Sequence, residues 1–322
     1  MNIAKLLPGV KRNILLKKDT TFRIGGPAKY FFAAKTKKDL VKAILMAKKY
    51  KLPFFILGGG SNVLAADKGY EGLVIKTQNS KLKVQNHNLK LKTIYVESGV
   101  RLSHLLKISL EKSLMGLEWA AGIPGSVGGA IRGNAGSFGK SMKDVVETVE
   151  VFDAETEKIK FFKNKDCKFS YRESIFKKKP NLIILSLMIQ LKKEGREEIK
   201  NKIKKNLEQR KKTQPLNFPS AGSIFKNTKY QIPNEKLQSK IKKDKNIKTI
   251  IKNNIIPAGY LIEKCGLKGK KINKAQISEK HSNFIVNLGG AKAKDVKELI
   301  KLIKEKVKKK FGIILETEIE LL

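Results

Sequence analysis

The sequence predicts an α+β protein built as two lobes. Three observations lead there. The chain has 322 residues, more than one hydrophobic core usually serves. Strand-like and helix-like stretches are mixed without the strict alternation of a doubly wound sheet. A charged helix near residues 196–212 separates a glycine-rich first part from a lysine-rich second part.

The elements follow in order. Thr36 and Asp39 form a capping-box start, and Leu40, Val41, Ile44 and Leu45 then repeat at helical spacing. Pro53 opens a short apolar strand, Phe54 to Leu57, that runs into Gly58-Gly59-Gly60-Ser61-Asn62. Strands are expected at Gly72 to Lys76 and Thr93 to Ser98, and a helix at Leu102 to Ser113. A glycine-rich stretch, Gly122 to Gly139, comes next, and then strands at Val146 to Asp153 and Leu182 to Leu191. Pro215 to Asn227 reads as a loop and Lys229 to Asn254 as a solvent-facing insertion. Val296, Leu299, Ile300, Ile303 and Val307 form the stripe of a last helix, ended by Gly312 at a C′ position. Ile313 to Leu321 reads as a closing strand.

Composition narrows the class. Apolar residues make up 41% of the chain, and no apolar run is long enough to cross a bilayer. The longest, Leu182 to Leu191, is broken by Ser186 and Gln190, so no membrane insertion is expected. Lys5, Pro8, Lys11 and Arg12 interrupt any secretory signal. Cys167 and Cys265 stand alone, without metal-ligand spacing; Cys265 is expected to be buried and inert, and the expected location is the cytoplasm. The 69 Lys+Arg against 29 Asp+Glu give a net charge of +40. Such a charge suits a polyanion partner, but the lysines are spread along the chain without an arginine–aromatic cluster or a binding motif. The plainer reading is a solvated lysine-rich surface, and no specific nucleic acid is expected.

Three glycine segments suggest a ligand carrying phosphate, because glycine lets backbone N–H groups approach an anion. They are Arg23-Ile24-Gly25-Gly26, Gly58 to Asn62, and Gly122-Ile123-Pro124-Gly125-Ser126-Val127-Gly128-Gly129 continuing through Gly133-Asn134-Ala135-Gly136. None spells the Rossmann fingerprint. The near P-loop at Gly139-Lys140-Ser141 fails because Asn134 stands where its first glycine belongs. A dinucleotide or pyrophosphate ligand is the expectation.

Chemistry-bearing residues lie further on. Arg172, in Phe169-Ser170-Tyr171-Arg172-Glu173-Ser174, suits neutralising a carboxylate or enolate, or equally a surface ion pair with Glu173. Ser223, in Ser220-Ala221-Gly222-Ser223, is a proton donor or a plain turn serine; the surroundings are not a nucleophile elbow. Glu316, Glu318 and Glu320 recur at period two and so share one face of the expected strand, with Leu315, Ile319 and Leu321 on the other. A carboxylic acid there suits acid or electrostatic catalysis, and residue chemistry does not choose among the three. His281 is expected to be a hydrogen-bonded structural residue and Trp119 a packing residue.

Taken in order, eight segments resemble the UDP-N-acetylenolpyruvoylglucosamine reductase family, also called UDP-N-acetylmuramate dehydrogenases. They are Thr20 to Ala28, Leu57 to Leu64, Gly122 to Gly139, Tyr171 to Ser174, Ala221 to Asn227, Ala258 to Glu263, His281 to Asn287 and Leu315 to Glu318. The resemblance implies a vanillyl-alcohol-oxidase (PCMH-type) FAD-binding domain over residues 1–200 and a smaller α+β substrate-binding domain over residues 201–322. It implies FAD as cofactor, NADPH as reductant, and reduction of the enolpyruvyl group of UDP-N-acetylglucosamine enolpyruvate in peptidoglycan precursor synthesis. Ser223 is then the proton donor, and Arg172 and Glu318 stabilise the developing charge. The FAD contacts fall on Arg23, Gly25, Gly58, Gly59, Gly60, Ser61, Asn62, Gly122, Pro124, Gly125, Ser126, Gly128, Gly129, Asn134 and Gly136. Substrate contacts fall on Tyr171, Lys226, Asn227 and Gln276. The short spacing from Arg172 to Ser223 resembles the branch that lacks an extra tyrosine-bearing loop. No metal is expected, and a monomer is. A flavin oxidase of the same superfamily is the competing reading; covalent FAD attachment would need a His or Cys, and the glycine segments contain neither.

Overall fold

The computed structural model describes residues 3–86, 91–229 and 255–322. The chain divides into two compact units, Met1–Ile14 with Pro27–Gly60 and Tyr70–Lys212, and Leu15–Gly26 with Ser61–Gly69 and Thr213–Leu322. The second unit therefore draws on two short N-terminal segments as well as on the C-terminal third.

The first unit contains two sheets. In one, Tyr70–Thr77 lies between Pro27–Ala34 and Phe54–Leu57, all parallel, with Lys11–Leu15 at the edge. Leu73, Val74 and Ile75 are fully buried, as strands covered on both faces require. The helix Lys37–Lys49 begins where the sequence predicts. Thr36 Oγ1 accepts from the Asp39 N–H at 3.1 Å, and Asp39 Oδ2 accepts from the Thr36 N–H at 2.9 Å. Its buried face, Leu40, Ala43, Ile44 and Ala47, packs on Phe32, Leu73 and Ile75 and on Phe152, Ile183 and Leu185 of the second sheet. Burial stabilises by about 1.5–3 kcal/mol for each large aliphatic side chain, which ties the two sheets together through this helix.

The second sheet is antiparallel, in the order Lys158–Lys163, Val146–Asp153, Leu182–Lys193, Leu91–Glu97, Leu82–Asn86. Its central strand is buried from Leu182 to Leu187, so it reads as a continuous apolar run rather than an alternating one. On one face lie Leu102, Leu105, Trp119, Val127 and Ile131. Trp119 is a packing residue as expected, its Nε1 donating to Gly116 O at 3.0 Å.

In the second unit, Ser220–Ser223, Phe284–Asn287, Ala275–Ile277 and Lys271–Ile272 form an antiparallel sheet in that order. The helix Ala293–Phe311 buries Val296, Leu299, Ile300, Ile303 and Val307 and stops at Gly312, whose φ is 71°. Its first N–H groups are satisfied from elsewhere in the unit: Asp67 accepts from Ala293 N at 2.7 Å and Lys294 N at 3.0 Å.

Three expectations are corrected. Ile313 to Leu321 is not one strand: Thr317 makes an isolated bridge with Phe225, and only Glu320–Leu321 is strand, parallel to Val63–Leu64. The two-face pattern fails with it, since Leu321 is 58% exposed. Pro215 to Asn227 is not all loop, because a strand occupies Ser220–Ser223. Cys265 is only partly buried, whereas Cys167 is fully buried and its thiol is pushed up to about 12 by that burial and by Asp166. The insertion expected at Lys229 to Asn254 lies almost wholly outside the described residues. Among those residues, no helix is long and apolar enough to cross a membrane.

Candidate functional site

In the first unit the glycine segments meet each other. A Cβ on Gly58 would stand 2.5 Å from Ser126 Oγ, and one on Gly59 would stand 2.4 Å from Gly125 Cα. One on Gly128 would stand 2.7 Å from Ser98 Cβ. These glycines are needed because two loops and a strand end pass in contact. Ser126 caps the short helix Val127–Arg132, its Oγ accepting from Gly129 N at 3.3 Å. Val127 N donates to Val100 O and Gly128 N to Ser98 O, each at 2.8 Å. The first N–H groups of that helix are therefore spent inside the protein.

Arg172 sits at the tip of a tight turn in this unit. Ser170 and Glu173 exchange both backbone hydrogen bonds, at 3.1 and 3.2 Å. Arg172 takes φ 57°, a left-handed backbone that costs an L-residue about 1 kcal/mol or more. Its guanidinium donates to Gly136 O at 3.0 Å and lies 5.6 Å from the Tyr171 ring centroid. Glu173, offered by the sequence as a surface partner for Arg172, makes an ion pair with Lys178 at 3.2 Å. Asn134 braces this turn: its Nδ2 donates to Ser170 O at 2.9 Å and its Oδ1 accepts from Lys143 N at 3.1 Å. Both ends of that amide hold the turn, Nδ2 from one side and Oδ1 from the other.

In the second unit the segments that carry Ser223 and Glu318 pair through their backbones. Ser220 pairs with Val286 but Ser223 with Phe284, so the strand carries one extra residue, a bulge with Gly222 at φ 76°. The bulge ends on Ser223. Immediately after it, Glu318 N donates to Ile224 O at 2.8 Å and Lys226 N to Glu316 O at 2.9 Å. Asn62 holds the same stretch: its Nδ2 donates to Glu318 O at 3.0 Å and its O accepts from Glu320 N at 2.9 Å. Glu318 is thus held by backbone on both sides, opposite Ile224, the residue that follows Ser223.

The expected substrate contacts are distributed as follows. Tyr171 is exposed in the first unit. Lys226 pairs with Glu316 at 3.2 Å. Asn227 Oδ1 accepts from Ala258 N at 3.1 Å, closing the start of the helix Ala258–Lys264. Gln276 is buried, and its Nε2 donates to Gly269 O at 3.1 Å. Arg23 is exposed at φ 55°, and lines a surface pocket with Phe218, Asn287, Gly289 and Gly290. Gly25 is a packing glycine, where a Cβ would stand 2.7 Å from Ala65 Cβ.

Sequence reasoning missed Asn283 and Asn287. Asn287 Nδ2 donates to Phe22 O at 3.0 Å, and its Oδ1 accepts from Gly289 N at 2.9 Å and Ala291 N at 3.0 Å. Both asparagines are buried and flank the apolar run Phe284-Ile285-Val286. Polar residues bounding a fully buried strand must find partners, and that was the available signal.

The first unit fits a dinucleotide cofactor. A Cβ at Gly129 would meet only Ser126 Oγ at 3.5 Å, and one at Gly133 only Gly129 O at 3.7 Å. Nothing in the protein needs these two residues bare, and the backbone over this turn is clear for close approach by a ligand.

Comparison with known proteins agrees. The sequence profile of the FAD binding domain family matches residues 28–161, and that of "UDP-N-acetylenolpyruvoylglucosamine reductase, C-terminal domain" matches residues 214–322. The UDP-N-acetylenolpyruvoylglucosamine reductase of Caldanaerobacter subterraneus is 40% identical over 95% of this chain and 91% of its own. That of Syntrophomonas wolfei is 36% identical over 97% of this chain and 94% of its own. The crystal structure of the Thermus caldophilus reductase superposes with a TM-score of 0.74 at 34% identity, covering 97% of this chain and 98% of that one. An FAD-binding α+β domain and a reductase-type C-terminal domain are thus both present, and the chain belongs to the UDP-N-acetylenolpyruvoylglucosamine reductase family of FAD-dependent oxidoreductases.

Proposed function

We propose that this protein uses NADPH to reduce UDP-N-acetylglucosamine enolpyruvate to UDP-N-acetylmuramate, in peptidoglycan precursor synthesis in the cytoplasm. The observation that carries the reading is the backbone pairing of Glu318 with Ile224, next in sequence to Ser223, in a chain with an FAD-binding domain. The first unit holds FAD through the Gly58–Gly60 and Gly122–Gly136 segments, and the second receives the sugar. FAD, once bound and reduced by NADPH, would supply the hydride for the β-carbon of the enolpyruvyl ether.

The remaining chemistry belongs to side chains. As charge develops toward the substrate carboxylate, the α-carbon needs a proton from a neutral donor, and the Ser223 hydroxyl provides it. A serine hydroxyl is a weak acid, so its proton transfer needs nearby charge to stabilise what forms. Arg172, a permanent cation held at a turn tip, offsets the charge on the carboxylate. Glu318 acts with Arg172 in stabilising the developing charge. Lys226 and Asn227, in the same segment as Ser223, contact the sugar nucleotide, with Gln276 and Tyr171. All these residues lie in one chain, so a monomer suffices. The competing oxidase reading leaves the set of Arg172, Ser223 and Glu318 without a use.

The test is a visible spectrum of the purified protein under anaerobic conditions. A flavin spectrum that bleaches with NADPH and returns when the enolpyruvyl UDP-sugar is added is expected. A colourless protein that FAD does not reconstitute, or a reduced protein that only oxygen reoxidises, overturns the reading.

A further inference from the structure

Among the described residues Arg210 is the one buried Lys or Arg, at 7% exposure. It stands on the helix Arg196–Thr213, whose other charged residues are exposed or partly so. Its Nε donates to Ala121 O at 2.7 Å and an Nη to Trp119 O at 3.3 Å. These carbonyls lie in the turn that leads into Gly122, and a Cβ on Gly122 would stand 3.0 Å from Arg210 Cδ. Phe138, from the far end of the same glycine segment, places its ring centroid 5.3 Å from the guanidinium carbon. No carboxylate among the described residues pairs with Arg210; its charged neighbour is Arg172, and burial together with that second cation pushes its pKa down.

Burying a cation without a counter-charge costs several kcal/mol, and two carbonyl dipoles offset only part of it. Packing alone does not account for the choice, because methionine or leucine fills such a space at no electrostatic cost. The position is informative: the charge is held against both ends of the segment that faces the cofactor.

We propose that Arg210 is the cation that anchors FAD in the first unit. Its inner edge fixes the Trp119–Gly122 turn, and its uncompensated charge offsets the cofactor's diphosphate. This rests on the reading that the Gly122–Gly136 segment holds FAD.

The test uses the full-length holoenzyme and the Arg210→Met and Arg210→Lys variants. Release of FAD on dilution is followed by flavin fluorescence over a series of KCl concentrations. Arg210→Met is expected to bind FAD about tenfold more weakly, with a shallower salt dependence, while Arg210→Lys keeps the salt dependence and part of the affinity. Wild-type affinity in Arg210→Met overturns the proposal. So does an equal loss in both variants with the salt dependence unchanged, which marks a packing strut. If Arg210→Met does not fold, Arg210→Gln, which keeps a donor but no charge, decides between the same outcomes. Failure of the FAD reading shows in the wild type, which then carries no flavin; failure of this inference shows only in the variants.

Discussion

Asn283 holds both backbone polar groups of Phe225: its Oδ1 accepts from Phe225 N at 3.0 Å and its Nδ2 donates to Phe225 O at 2.9 Å. Its own carbonyl accepts from Ile224 N at 2.8 Å. The two residues following Ser223 are thereby fixed from one asparagine. Asn283→Ala removes two buried hydrogen bonds and leaves Phe225 unsatisfied, a loss of about 2–4 kcal/mol. Urea unfolding at neutral pH measures it, and a change under about 0.5 kcal/mol contradicts the role.

His281 shares that clamp. Its Nδ1 accepts from Asn283 N at 3.2 Å and its ring lies 4.8 Å from Phe284. Burial pushes its pKa down, and Lys268 adds to this while Glu263 opposes it. The folded protein therefore keeps His281 neutral where the unfolded chain binds a proton. Its contribution is full above the unfolded value of about 6.5 and is lost progressively as pH falls below it. Denaturant midpoints between about pH 7.5 and pH 5.5 should drop more for wild type than for His281→Gln. Parallel curves count against it.

Asp153 shows the same sign in a more acidic window. Its carboxylate accepts from Lys160 at 2.6 Å, Asn181 at 2.8 Å, and Glu155 N and Thr156 at 3.0 Å. Lys160 first, then the other donors, hold its pKa well below the usual carboxylate range. The stabilisation is present above the unfolded value of about 3.9 and is lost as pH falls toward the lowered folded value. Asp153→Asn is expected to cost about 2 kcal/mol near neutrality, with the gap closing only below about pH 4. A gap that stays constant into acid refutes the assignment.

Gly59→Ala tests the contact between the glycine loops. Its new methyl would stand 2.4 Å from Gly125 Cα, and backbone cannot yield as a side-chain tip does. The flavin content of the purified variant should fall severalfold or more. Full occupancy would show that the loops separate without harm to the cofactor site.

Local rules made much of the fold legible. The Thr36–Asp39 capping box and the Val296–Val307 stripe lie where the sequence places them, because each depends on neighbours a few residues away. The closing segment misled because its alternation resembles a strand, yet Thr317 makes only a lone bridge with Phe225, and Glu320–Leu321 pairs with Val63–Leu64, over 250 residues earlier. The Gly222 bulge read as a turn because its meaning depends on the register against Phe284 and Val286. In the site, residue types at Arg172, Ser223 and Glu318 were visible, and family resemblance singled them out. The groups that position them were not: Asn62 on Glu318, Asn134 on the Arg172 turn and Asn283 behind Ser223 each act across long stretches of chain.

The central claim is that Ser223 gives the proton that completes reduction of the sugar. The direct measurement is anaerobic stopped-flow absorbance at the flavin band for wild type and Ser223→Ala, with each half-reaction followed separately. Reduction by NADPH should proceed at the wild-type rate in the variant, while reoxidation by the enolpyruvyl UDP-sugar slows about a hundredfold or more. Equal slowing of both half-reactions, or wild-type reoxidation in the variant, would contradict the assignment.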